Sequence, residues 1–60
     1  MQEQERWLSV GEIAAHLGEI LWAQGRQSEA REVWGEAYQQ QPDNPILRST
    51  LQRLTGRETP

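Results

Sequence analysis

Residues 11–44 read GEIAAHLGEILWAQGRQSEAREVWGEAYQQQPDN, two helix-forming stretches joined by a glycine turn and closed by a proline. In the first, Val10, Ile13, Ala14, Leu17 and Leu21 recur at i, i+3, i+4, i+7 and i+11. That spacing is one apolar stripe of an α-helix, widened by Ile20. Gly11, Ala15, Gly18 and Trp22 form a second line about a quarter-turn away, where small residues let another backbone approach. Glu12, His16, Glu19 and Ala23 make the opposite, polar side.

In the second stretch Ala30, Val33, Trp34, Ala37 and Gln41 follow helical spacing, with Tyr38 at the edge of the stripe. This face is expected to be buried, with Ala30 and Trp34 against the first helix near Leu17 and Leu21. Gly35 costs about 1 kcal/mol relative to Ala in a helix interior, which points to close packing there. Gln24-Gly25-Arg26 is the turn, with Gly25 placed for the left-handed conformation that ends a helix. Pro42 cannot continue the second helix.

The flanks carry their own start and stop signals. Ser9 and Glu12 have the S-x-x-E spacing of a capping box, and Leu8 and Ile13 that of a hydrophobic staple. Ser28 is expected to cap the second helix, with Glu29 and Glu32 in its first turn. Asn44-Pro45 opens a third helix in which Leu47, Leu51 and Leu54 recur at i, i+4 and i+7. Gly56 stops it, with Arg53 in the last turn. The spacing predicts three helices, at Ser9–Gln24, Ser28–Gln41 and Asn44–Thr55, in an all-α fold. Residues 1–8 form a flexible arm and residues 56–60 a disordered tail on this reading.

Composition narrows the function classes. Sixty residues with no Cys and a single His, His16, exclude disulfides and any multi-histidine or thiolate metal site within one chain. A chain this short buries only about 60% of the surface it exposes when unfolded, so further packing against repeats or another copy is expected to help it. The net charge is −3 and the six basic residues are scattered arginines, Arg6, Arg26, Arg31, Arg48, Arg53 and Arg57. No basic stripe for nucleic acid results. No apolar run approaches the roughly 20 residues of a membrane span, and the first ten residues lack a signal-peptide core. The compartment is left open. No nucleophile–base pair, metal set or phosphate-binding glycine loop suggests an enzyme, and no cofactor is expected. Glu12 and Glu19, seven apart on one face, read as a solvated acidic surface. Glu32 and Glu36, four apart, are mildly repulsive.

Leu17, Gly18, Ala30 and Pro42 fall where the tetratricopeptide repeat of roughly 34 residues places L-G, A and P in its pattern W-x₂-L-G-x₂-Y…A-x₃-F…P. Trp34 stands for the Phe and Leu21 for the Tyr, while Ala14 replaces the Trp. The stretch 11–44 therefore resembles one tetratricopeptide repeat, and residues 45–55 resemble the solvating helix that closes the C-terminal end of such arrays. The exposed side of that helix offers Arg48, Ser49, Gln52 and Arg53. The whole resembles the last repeat and cap of a bacterial tetratricopeptide protein, or a short stand-alone member.

The resemblance implies an antiparallel helical hairpin that binds a peptide or protein through its first helix. Carried over, the groove lining would be Glu12, Ala15, Glu19, Trp22, Ala23 and Asn44. The acidic residues there suit a basic or apolar ligand, not a carboxylate. The alternative is a structural unit, self-associating or capping a longer array with no separate ligand. A lone repeat leaves one side of its first helix uncovered. A homodimer, or packing on further repeats, through Trp7, Gly11, Gly18, Ile20 and Trp22 would close it.

Overall fold

The computed structural model describes residues 9–60. Three helices follow in order, α1 (Val10–Ala23), α2 (Gln27–Gln40) and α3 (Pro45–Thr55), and no strand occurs among the described residues. The helix α1 packs along both α2 and α3, whereas α2 and α3 touch only briefly. The flexible arm expected at residues 1–8, with Trp7 and the Leu8 staple, lies outside the described residues.

The ends form for the reasons written in the sequence, with one exception. Ser9 accepts from the Glu12 amide at 3.2 Å while Glu12 accepts from the Ser9 amide at 3.0 Å, completing the capping box. Gly25 sits at φ +80°. Its amide donates to the Trp22 carbonyl at 3.0 Å and that of Arg26 to the Leu21 carbonyl at 2.9 Å. That pair of bonds is the Schellman closure of a helix. The Arg26 carbonyl then accepts the first bond of α2, from Ala30. Arg26 therefore ends one helix and caps the next. Ser28, the expected cap, lies inside α2 because the turn is this tight, and the cap makes no side-chain bond. Asn44 and Gly56 bound α3 as expected, Asn44 accepting from the amides of Ile46 and Leu47 and Gly56 at φ +83°.

The core keeps the expected stripe residues Ala30, Trp34 and Ala37 of α2 and Leu47 and Leu51 of α3, and differs on α1, where only Ala14 and Leu21 of the expected stripe are buried. Trp34, Leu47 and Leu51 are fully buried, surrounded by Ala14, Ala15, Ala30, Ala37 and Leu21. On α1 the buried residues are Gly11, Ala14, Ala15, Gly18 and Leu21. Val10, Ile13, Leu17 and Ile20 point outward, 44–51% exposed. The helix is thus turned so that its small-residue line, not its bulkiest stripe, faces inward. The cause is Trp34. A Cβ built on Gly18 would lie 2.1 Å from Trp34 Nε1, so the indole fits only over a residue without a side chain. Trp34 lies against Gly18 and Trp22, whose ring centroid is 5.6 Å away, and shares the core with Ala30 and Leu21 as expected. Gly35, by contrast, has no neighbour within 4 Å of a built Cβ, so close packing does not explain it.

Beyond α3, Arg57 donates its amide to Thr55 Oγ1 at 3.2 Å, and Glu58 pairs with Arg48. The carboxylate of Glu58 accepts from the Arg48 guanidinium and raises its pKa above an already high value. Its charge is therefore fixed at every working pH.

Candidate functional site

Most residues expected to line a binding groove carry internal duties. Asn44 joins all three helices at one end. Its Oδ1 caps α3, while its Nδ2 donates to Ser9 Oγ at 3.0 Å and to Gln41 Oε1 at 2.9 Å. Gln41 Oε1 also accepts from the Gly11 amide at 3.0 Å, one of the first-turn donors that a helix cannot satisfy by itself. Gly11 has no room for a side chain, since a Cβ would stand 2.6 Å from Asn44 Nδ2. Asn44, expected in the groove lining, is half-buried and holds this network, and Gly11, expected in the self-association set, is buried against it.

The other expected positions divide. Ala15 is 2% exposed and cannot meet a ligand, because it faces the core. Gly18 is buried under Trp34 and cannot meet a second copy. Glu12 is held in the capping box. Glu19 accepts from Arg53 of α3 at 3.3 Å in a solvent-exposed pair. Trp22 is half-buried, tilted 36° against Trp34, with the Arg31 guanidinium 5.4 Å above its ring. That is a cation–π contact, worth about 0.5–1 kcal/mol where exposed. Ala23 is exposed. Trp7 lies outside the described residues. Among the described residues of the expected self-association set, Ile20 is the exposed one, at 51%.

Ile20, expected at the surface, is joined there by Val10, Ile13 and Leu17, which sequence reading placed on the buried stripe. Val10, Ile13, Leu17 and Ile20 stand in one exposed row at 3-4-3 spacing. Beside the first three of them runs a groove of about 310 Å³, with Ala14 and Ala37 along its floor and Val33, Glu36 and Gln40 on its α2 side. The signal was present in the sequence as a stripe of large apolar residues. Its direction was not. Among the described residues no group of three or more acidic or histidine side chains could hold a metal, and no helix is long and apolar enough to cross a membrane.

An antiparallel helical pair followed by a third helix laid along the first is the building unit of α-helical solenoid proteins, which offer surfaces for other proteins. The chain belongs to the tetratricopeptide repeat family: the family model matches residues 11–54, spanning all of α2 and nearly all of α1 and α3. Tetratricopeptide repeats are protein–protein interaction modules that act by binding. Neither a curated protein nor a solved structure matches the chain.

Proposed function

We propose that this chain binds a partner protein or peptide through the outward side of α1 and the groove it forms with α2. The supporting observation is the exposed row Val10, Ile13, Leu17 and Ile20. Four large apolar side chains grouped on one helix face are a contact surface that water disfavours, unlike apolar residues scattered singly. The groove implied by family resemblance, with Ala15 buried, would keep Glu12, Glu19, Trp22, Ala23 and Asn44.

The test is selection of ligands from a displayed peptide library, followed by variants on each side. Leu17→Glu should weaken the selected ligands by about 30-fold or more, the loss that marks a hot spot. Trp22→Ala should leave them nearly unchanged. The reverse pattern would place the contact on the Trp22 side.

A second reading has one observation in its favour. The 3-4-3 spacing of the exposed row is that of paired helices, so a second copy could take the same surface. Sedimentation equilibrium checks this reading: a two-chain mass that Leu17→Glu reduces to one chain would support it.

A further inference from the structure

We infer that the partner of the α1–α2 groove is an amphipathic α-helix of another protein that carries basic residues beside its apolar stripe. This rests on the reading of the groove as the contact surface and adds the shape and charge of what fills it.

The shape follows from the groove's construction. Its walls are two antiparallel helices, and apolar residues on α1 recur at helical spacing along it. Such a valley accepts the ridge of a third helix lying along it. The helix backbones of α1 and α2 pair internally and offer no sheet edge. An extended peptide would bring unpaired N–H and C=O groups against an apolar floor. A helix arrives with its backbone already paired.

The charge follows from the rim. Glu36 lines the groove, and Glu32 lies one turn earlier on α2. Neither forms an ion pair among the described residues. Four of the five arginines among the described residues are engaged elsewhere. Arg26 pairs with Glu29, Arg53 with Glu19 and Arg48 with Glu58, while Arg31 stacks on Trp22. A second copy placed here by two-fold symmetry would present the same patch, apolar and acidic with no cation among the described residues that line it. Its carboxylates would then be partly desolvated against like charge, which disfavours the pairing. A basic flank provides the charge that this surface lacks.

The experiment uses the full chain and three labelled synthetic peptides of equal length. One has a leucine stripe at i, i+3, i+4 and i+7 flanked by arginine. The second replaces each arginine by glutamate, and the third scrambles the first so that the stripe is lost. Binding is followed by fluorescence anisotropy at two salt concentrations. The arginine peptide should bind about tenfold or more tighter than the glutamate peptide, and less tightly at higher salt. The scrambled peptide should not saturate. Leu17→Glu and Ile13→Glu, both at exposed positions and checked for helicity by circular dichroism, should each abolish binding. Glu36→Lys should weaken the arginine peptide by up to about fivefold, the worth of an exposed ion pair.

Three results would overturn the inference, each in a different way. Equal binding of both stripe peptides, lost in Leu17→Glu, would leave the groove as the contact surface and remove the charge preference. Binding of the arginine peptide that survives both α1 variants would refute the groove itself. No peptide binding, together with a two-chain mass abolished by Leu17→Glu, would make a second copy the occupant.

Discussion

The indole of Trp34 lies on the backbone of Gly18: a Cβ at that glycine would stand 2.1 Å from Trp34 Nε1 and 2.4 Å from Cε2. This contact sets the rotation of α1, and with it which residues become core and which become surface. Trp34 is wholly buried, and its Nε1 has no hydrogen-bond partner. The indole N–H is an unmet donor, a cost of about 1–3 kcal/mol that the packing outweighs.

Gly18→Ala should destabilise the chain by about 1–3 kcal/mol through overpacking, although alanine is the better helix former. Trp34→Phe removes the five-membered ring that meets the added methyl and also removes the unpaired N–H. The double variant should therefore be more stable than the sum of the two single effects, with a coupling of about 0.5–3 kcal/mol. Urea unfolding of the four species measures it. Simple additivity would mean that the two residues do not touch as described.

Gly35→Ala should stabilise the protein by about 0.5–1 kcal/mol. The position is in a helix interior, has no neighbour within 4 Å of a built Cβ and is not at positive φ. The gain comes from the smaller backbone entropy of the unfolded chain. A lowered thermal midpoint would show that Gly35 packs against something.

Asn44→Ala should cost about 1–3 kcal/mol, the lost cap together with the unmet groups left on Ser9 and Gln41. Asn44→Asp should fall between that variant and the parent. It keeps the acceptor for Ile46 and Leu47 but loses the amide that donates to Gln41 Oε1 and Ser9 Oγ. Gln41 can turn its own amide toward the aspartate only by giving up the Gly11 N–H. Urea midpoints rank the three, and an aspartate variant as stable as the parent would show that the network contributes little.

Glu19→Gln should change stability by less than about 1 kcal/mol, because exposed ion pairs are worth little. The pair with Arg53 is open to solvent, with 57% of the Arg53 side chain and 39% of the Glu19 side chain exposed. What difference there is should vanish at high salt. A larger loss in chemical denaturation would mean that the α1–α3 contact depends on this bridge.

The sequence by itself determined the elements and their ends. Ser9 with Glu12, Gly25, Asn44 with Pro45, and Gly56 act within a few residues, through hydrogen bonds between groups close in the chain. The family was also legible, since Leu17-Gly18, Ala30, Trp34 and Pro42 hold fixed spacings in one continuous stretch. Facing was not legible. Periodicity states that Val10, Ile13, Leu17 and Ile20 share a side of α1, and equally that Gly11, Ala15 and Gly18 share another. Choosing between them requires the volume of Trp34, which comes from a different helix and fits only over Gly18. Only the tertiary structure brings those two residues together, and by doing so it turns Val10, Ile13, Leu17 and Ile20 of α1 out to solvent. Ser28 fails as a cap for a related reason, because the closure of α1 had already fixed Arg26 as the first residue of the next helix's bonding.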